Sequence, residues 1–202
     1  FQIGFNSNDF IITSGLHSLY TPLLRENYDL KIYLDIDENL RKYFKIHRDI
    51  KKRNKPKEEI ELSIQNRKED SELFIKPQKK KANLIFSLAA ENSSQLENID
   101  ENNLKLKLDV TSKSMINHEL LIRILIGMLN LECKYEMSDD SKEFRLSVNG
   151  NVSAESIEKA SLLFFPKIRE FLDVNIKWHG NSLGLMQLIS LFHINENIEK
   201  EV

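Results

Sequence analysis

Three short apolar runs in the first ninety residues constrain the fold more than any other feature of the sequence. The runs "DFIIT", "LKIYLDI" and "NLIFSL" are rich in isoleucine and leucine, and each is bounded by turn residues or by charge. Such runs are typical of strands in a parallel sheet that is covered on both faces. The pattern therefore predicts an α/β sheet. Because such sheets usually have about five strands or more, three strands indicate a piece that is incomplete on its amino side.

The segments between the apolar runs have helical periodicity. The stretch "ENLRKYFKIHRDIKK" places apolar residues at helical spacing, and Asp37 precedes it as the predicted N-cap. The stretch "KPKEEIELSIQNRKEDSELFI" predicts a second helical segment with Pro56 near its start. Strand, turn, strand, helices and strand is the order of a doubly wound α/β sheet.

The composition of the sequence changes after the third apolar run. Residues 91–103 are polar and predict a linker, and residues 104–202 predict a smaller α+β domain. This domain would contain the strand "LKLKLDV", a helix capped by Asn117, a hairpin around "SDDS" and a helix capped by Ser153. Pro166 is expected to kink or divide that helix, and the strand "VNIKW" and a last helix follow. The order of these elements predicts a ferredoxin-like arrangement.

Charge and cysteine content exclude several classes of protein. The formal net charge is −2 at pH 7, so no overall positive field attracts the chain to nucleic acid or to a membrane. The basic segment "HRDIKKRNKPK" lacks the interleaved aromatic residues of a nucleic-acid site. The single cysteine, Cys133, rules out an intramolecular disulfide framework and a multi-cysteine zinc site. A cytoplasmic location is the default expectation, since neither a signal peptide nor a membrane span is evident.

Three segments of the first ninety residues resemble, in order, the carboxyl half of the P-loop kinases that include uridine kinase and phosphoribulokinase. "IITSGLHSLY" is similar to the family's strand and E-G-L-H turn, and "YDLKIYLDIDENLRKYFKIHRDIKKRN" to its next strand and R-D-x-x-x-R lid segment. "IELSIQNRKEDSELFIKPQKKKANLIFSL" is similar to the F-I-x-P-x-K-x-x-A-D entry to the following strand. The resemblance implies a partial kinase domain in residues 1–90 with a lid at about 47–57.

The same resemblance implies an activity and its ligands. The expected activity is that of an ATP-dependent phosphotransferase, with ATP and Mg²⁺ as cofactors. The expected acceptor is a hydroxyl group of a nucleoside, a pentose phosphate or a related sugar. The partners would thus be a nucleotide and a small acceptor, and a homodimer is a further possibility. By analogy with other kinases, the second domain would serve dimerisation, substrate selection or regulation.

The basic segment "HRDIKKRNKPK" carries the residues that the resemblance implies to be catalytic. Arg48 and Arg53 match the lid arginines that close on phosphates, and Asp49 matches a residue that binds magnesium or orients the acceptor hydroxyl. A kinase needs fixed positive charge over the transferring phosphate, and this segment supplies six cations. A solvated helix end is the alternative interpretation of the charge run. The matches on either side of the segment favour the lid.

Four further positions are implied to contact ligands. His17 would border the acceptor, because the turn after a strand is where α/β folds bind ligands, although a structural histidine is the alternative. Arg67 and Lys68 would either face an anionic substrate or lie on an exposed helix surface. Lys79 matches the lysine of the family's P-x-K signature and is implied to bind the nucleotide.

Two departures from the family bear on activity. Ser14 stands where the family usually has a glutamate, and its hydroxyl could bind magnesium together with Asp49 but carries no charge. The phosphate cradle G-x-x-x-x-G-K-[ST] does not occur in the sequence, so these residues alone cannot assemble ATP hydrolysis. Because the sequence opens at Phe1 in a strand-like stretch, we expect a fragment of an active kinase. The alternative is a catalytically inactive, kinase-derived binding, scaffold or regulatory protein.

Overall fold

The computed structural model describes residues 11–91, 96, 104–114, 116–166 and 176–198. These residues form one mixed five-stranded sheet with the strand order β1-β2-β3-β5-β4. The first two strands are parallel, and the other neighbours are antiparallel. The strands are β1 (Ile32–Ile36), β2 (Leu84–Ala90), β3 (Leu106–Ser112), β4 (Glu132–Met137) and β5 (Phe144–Asn149). The α/β prediction is confirmed at this level.

Seven α-helices accompany the sheet in the described part of the chain. They are α1 (Pro22–Arg25), α2 (Glu38–Arg53), α3 (Lys57–Asn66), α4 (Lys68–Asp70), α5 (His118–Arg123), α6 (Ala154–Phe164) and α7 (Asn181–Ile198). A π-helical turn, Ser71–Ile75, and a 3₁₀ turn, Lys76–Lys81, continue α4, and a second π-helical turn, Ile124–Met128, continues α5. None of the helices described is long and apolar enough to cross a membrane.

The three predicted N-caps are confirmed. Asp37 accepts hydrogen bonds from the main-chain N–H groups of Asn39 and Leu40, at 3.0 and 3.2 Å. Asn117 and Ser153 each accept one N–H from the first turn of their helices. These short polar side chains satisfy donors that the first helical turn leaves unpaired, which is why the helices begin where the sequence indicates.

The main core lies on one face of the sheet. Alternate residues of β2, β3 and β5 point into it, and α5, α6 and α7 cover them, together with Leu40 and Tyr43 from the start of α2. The longest helix, α7, is attached to both ends of β3: Ser182 Oγ donates to the Leu106 carbonyl (3.3 Å), and His193 Nε2 shares a hydrogen bond with Ser112 Oγ (2.9 Å). A smaller apolar cluster on the opposite face includes Ile85.

The sheet crosses the predicted boundary between two domains. Strands β2 and β3 pair over seven residues, and Leu96, from the predicted linker, is buried against the core. Most of residues 91–103 lies outside the described residues, and the division into two domains stays a prediction. The mixed sheet nevertheless joins the kinase-like segment to β3, β4 and β5.

The first predicted strand differs from the sequence-based expectation. Residues 11–13 of the first predicted strand are not in a strand, and the side chains of Ile11 and Ile12 are 62% and 90% exposed. Their apolar character predicted burial, but no described strand pairs with them; the first two residues of that run lie outside the described residues. Helix α6 ends at Phe164, before Pro166, and residues 167–175 lie outside the described part of the chain, so the expected division of the helix at Pro166 stays a prediction.

The ferredoxin-like arrangement is not confirmed. Residues 176–178 of the predicted strand "VNIKW" are not in a strand, and the two residues before them lie outside the described part of the chain. The segment is instead fixed by α7. Gln187 accepts the main-chain N–H of His179 at 3.0 Å and donates to the Lys177 carbonyl at 3.1 Å. The side-chain amide of Gln187 thus makes hydrogen bonds to this segment in place of those that the main chain of a neighbouring strand would make.

Candidate functional site

The predicted lid, at about 47–57, covers the end of α2, the following turn and the start of α3, two helices that pack against each other. Asn54 ends α2 in the left-handed conformation (φ 49°), which asparagine tolerates better than most residues and which turns the chain toward α3. Lys45 Nζ lies 3.3 Å from Ser63 Oγ, and Ile60 of α3 is buried. We call α2, the turn and α3 the lid hairpin.

The lid hairpin encloses a small cavity of about 120 Å³. Its lining contains five cationic side chains but only two carboxylates, so the cavity carries a surplus of positive charge. We call it the cationic pocket; its lining residues are Lys45, Arg48, Asp49, Arg53, Lys55, Glu59, Ile60, Ser63 and Arg67. Four predicted site residues are therefore brought together: Arg48, Asp49, Arg53 and Arg67. Such a surplus suits an anionic group such as a phosphate.

Asp49 is the buried anion of the cationic pocket. Its side chain is 5% exposed, and one oxygen, Oδ1, lies 2.8 Å from Arg48 Nε and 3.4 Å from Arg53 Nη1. The hydrogen bond from Arg48, followed by the charges of Arg48 and Arg53, lowers the pKa of Asp49 below its ordinary value. The carboxylate thus orients both guanidinium groups, which are more than half exposed and keep N–H groups for a ligand.

Lys45 is a member of the pocket that the sequence analysis did not single out. Burial, followed by the neighbouring charge of Arg67, lowers its pKa. The positive charges of Lys45 and Arg67 therefore repel each other in the pocket, and a bound anion would reduce that repulsion. The available signal was its position three residues before Arg48, which places the two side chains on one helical face. Lys68, by contrast, is exposed and does not line the pocket.

The turn that carries His17 is at the surface. Ser14 and His17 are exposed, and the His17 ring makes an edge contact with Tyr20 at 6.0 Å between centroids. Ser18 Oγ donates to the Gly15 carbonyl at 2.8 Å and closes the turn. The predicted contact of His17 with an acceptor stays a prediction.

Lys79 forms an ion pair that the sequence analysis did not anticipate. Its Nζ lies 2.6 Å from Asp35 Oδ2 on β1, and both side chains are partly exposed. Asp35 was predicted only as part of a strand, and its pairing depends on the three-dimensional approach of residues 44 positions apart. The predicted role of Lys79 in nucleotide binding stays a prediction.

Ser14 and Asp49 are the two residues predicted to bind magnesium. No group of three or more histidine, cysteine, aspartate or glutamate side chains in the described ranges could hold a metal ion. The oxygen of Asp49 that both arginines approach is already neutralised by them. The residues present thus fit a phosphate better than they fit a divalent cation, and the metal role of Ser14 and Asp49 stays a prediction.

Comparison with known proteins finds matches for the amino-terminal part of the chain. Residues 2–94 match the Phosphoribulokinase / Uridine kinase family. The resemblance is thereby confirmed, and this part of the chain is similar to phosphotransferases. The chloroplastic phosphoribulokinase of Spinacia oleracea is 38% identical over 78 residues, which are 39% of this chain and 19% of that protein. The uridine kinase of Staphylococcus epidermidis is 34% identical over 96 residues, which are 47% of this chain and 46% of that protein.

The similarity covers only part of this chain and only part of each relative. A third relative, the phosphoribulokinase of Synechocystis sp., is 38% identical over 81 residues, or 40% of this chain and 24% of that protein. The chain thus spans less than half the length of these relatives. The matched range contains every predicted site residue, whereas β3 and all elements after it lie beyond the match.

Proposed function

We propose that this chain provides the phosphate-clamping lid of an ATP-dependent phosphotransferase of the phosphoribulokinase and uridine kinase type. The observation that carries the proposal is the cationic pocket, in which Asp49 holds Arg48 and Arg53 beside Lys45. The acceptor would be a hydroxyl group of a nucleoside, a pentose phosphate or a related sugar. The motif that cradles ATP phosphates is not in these 202 residues, so we assign them the clamp and not the whole reaction.

The clamp would act by electrostatic stabilisation. During phosphoryl transfer, negative charge spreads over the oxygens of the transferring group, and fixed cations stabilise it without reorganising. Asp49 would keep Arg48 and Arg53 in place before the phosphate arrives. Magnesium, when bound, would supply further positive charge to the nucleotide phosphates. His17, at its exposed turn, would contact the acceptor, and Lys79 would approach the nucleotide after exchanging its partner Asp35 for a phosphate.

A specific observation favours a second candidate, a kinase-derived binding or scaffold protein without catalysis. Ser14 replaces the glutamate that is usual at its position, and Asp49 is committed to two arginines. A protein of this kind would keep the anion-binding pocket but lack the carboxylates that handle the metal. The two candidates agree on phosphate binding and differ on turnover.

Phosphate binding is tested first with the 202-residue chain. Isothermal titration with ATP and with inorganic tripolyphosphate should show binding that weakens as salt increases. Arg48→Gln and Arg53→Gln should each weaken binding by about 10- to 100-fold, since each removes a charge-assisted hydrogen bond. Lys52→Gln is the matched control: it removes an exposed cation of the same helix that does not line the pocket. Equal affinity in all three variants would show that the charge run is only a solvated helix end.

Turnover separates the two candidates. ATP consumption by the complete gene product is measured against a panel of nucleosides and pentose phosphates, with Asp49→Ala as the comparison. Turnover with one acceptor that Asp49→Ala abolishes supports the enzyme. Binding of ATP without turnover for any acceptor supports the scaffold.

A further inference from the structure

Gln78 is a buried polar residue that the proposed reaction does not use. It lies in the 3₁₀ turn directly before Lys79, and only 5% of it is exposed. Its side-chain amide makes three hydrogen bonds, all to main-chain groups. Gln78 Oε1 accepts the N–H of Leu19 at 3.0 Å, while Nε2 donates to the carbonyls of Leu16 at 2.9 Å and Phe74 at 2.7 Å. Both amide donors and one acceptor are therefore satisfied, which fixes the orientation of the amide.

Two of these contacts lie on either side of His17. The Leu16 carbonyl precedes His17, and the Leu19 N–H follows it by two residues. The turn also has hydrogen bonds of its own, such as that from the Tyr20 N–H to the His17 carbonyl at 3.0 Å. Those bonds shape the turn internally. The bonds from Gln78 connect it to a segment about sixty residues away, and they set the direction in which the turn presents His17.

The third contact ties the turn to the π-helical turn that follows α4. Phe74 belongs to the π-helical turn Ser71–Ile75, a rare conformation that is frequent at functional sites. Its ring also makes an edge contact with Tyr20, at 5.8 Å between centroids. One amide thus joins the His17 turn to the helical segment that begins with α4. The next residue, Lys79, connects the same 3₁₀ turn to Asp35 on β1.

We propose that Gln78 is a positioning residue, whose amide holds residues 16–19 and so fixes His17 relative to Lys79. The structural part of this inference stands on the three hydrogen bonds. Its consequence for the acceptor rests on the proposed function. A buried amide at this position also explains why the family-like segment "KPQKKK" contains one uncharged polar residue between a proline and three lysines.

Two substitutions separate positioning from simple packing. Gln78→Met keeps the length of the side chain but removes all three hydrogen bonds. Gln78→Glu keeps the shape but places a carboxylate against two carbonyl oxygens. Protonation of that carboxyl restores one hydrogen-bond donor. The Gln78→Glu variant should therefore regain one of the lost hydrogen bonds as the pH falls from about 8 to about 5, whereas Gln78→Met should regain none. A residue that only fills space would show no such pH dependence.

Amide hydrogen exchange, followed by NMR on the 202-residue chain, tests the structural part. In Gln78→Met, the Leu19 amide should exchange about 10- to 100-fold faster than in the wild type, while the amide of Val110 in β3 stays unchanged. Ser161→Ala is the control, because it also removes a buried hydrogen bond, from Ser161 Oγ to the Glu158 carbonyl at 2.7 Å, far from the turn in sequence. Unchanged Leu19 exchange in Gln78→Met would overturn the inference.

A double-mutant cycle tests the consequence for the acceptor. Binding of uridine and of ribose 5-phosphate is measured for the wild type, His17→Ala, Gln78→Met and the double variant. If Gln78 acts through His17, the double variant binds as weakly as His17→Ala and no weaker. Additive losses would overturn the claim that Gln78 acts through His17. If neither probe binds, the acceptor role in the proposed function fails, while the exchange experiment still decides the inference.

Discussion

The regions before and after β2 differ in how they are held together. Among the described residues, five apolar side chains are buried before β2, and twenty-four are buried from Leu84 onward. The earlier region depends on polar contacts instead: the Asp37 cap, the buried Asp49 and the Gln78 amide. The cations of the cationic pocket therefore lie in the region where apolar packing is light.

The largest contrast between the regions is expected from removing one phenylalanine in each. Phe192 on α7 is 1% exposed, and Phe74 is 39% exposed. Phe192→Ala should lower the free energy of unfolding by about 3–5 kcal/mol, because it leaves a cavity in the core. Phe74→Ala should lower it by about 1 kcal/mol or less. Urea denaturation measures both, and equal losses would contradict the contrast.

The single cysteine reports on the packed region through its reactivity. Burial raises the pKa of the Cys133 thiol to about 11. Because the thiolate is the reactive form, labelling of the native protein at pH 8 should be about 100-fold slower than labelling of an unfolded chain. The Phe192→Ala variant should label faster, and Phe74→Ala should label at the wild-type rate. Rapid labelling of the wild type would show that β4 opens readily.

A smaller effect is expected from the two helix caps, one in each region. Asp37→Ala and Asn117→Ala should each reduce the free energy of unfolding by about 1 kcal/mol. Because β2 and β3 join the two regions in one sheet, both variants should shift a single transition, whether it is followed by circular dichroism or by Trp178 fluorescence. If each variant instead moves only one of two transitions, the regions unfold separately.

The smallest effect is expected from Asp49→Asn, and it should depend on pH. The pKa of Asp49 is lowered in the folded protein, so its charge stabilises the fold above the unfolded pKa of about 3.9 and loses this effect as the pH falls through the folded value. The wild type should therefore be more stable than the variant at pH 7, and the difference should shrink as the pH falls below about 3.9. Solvent screening of Arg48 and Arg53 keeps the difference modest. A stability difference between wild type and variant that grows as the pH falls would contradict this prediction.

Local signals in the sequence predicted many elements correctly. The strands β1 to β5, the three caps and the hairpin around "SDDS" all depend on neighbouring residues: alternation, capping side chains and turn chemistry. The first predicted strand did not form in residues 11–13, because a strand needs a partner that its own sequence does not specify. The antiparallel pairing of β2 with β3 was likewise beyond local reasoning, since it joins segments that a polar stretch separates in the sequence.

The candidate site was predictable where its residues lie on one helix. Arg48, Asp49 and Arg53 share α2, where the helical repeat brings Arg53 beside Asp49 and Arg48 is the neighbour of Asp49 in the chain. Lys45 follows from the same repeat but was overlooked. Gln78 and Asp35 could not be found in this way, because the partners that connect them to other segments are about sixty and forty-four residues away.

The geometry of α2 makes the cationic pocket sensitive to small rotations. The buried contacts of this helix with the core, Leu40 and Tyr43, lie in its first two turns, and Arg53 is its last residue. Ten residues of helix form a lever arm of about 15 Å, so a tilt of about 10° at the base moves the far end by about 2–3 Å. That displacement is enough to make or lose a hydrogen bond to a phosphate. The first two turns of α2 are thus anchored in the core, whereas its charged carboxyl end is the part that a tilt displaces.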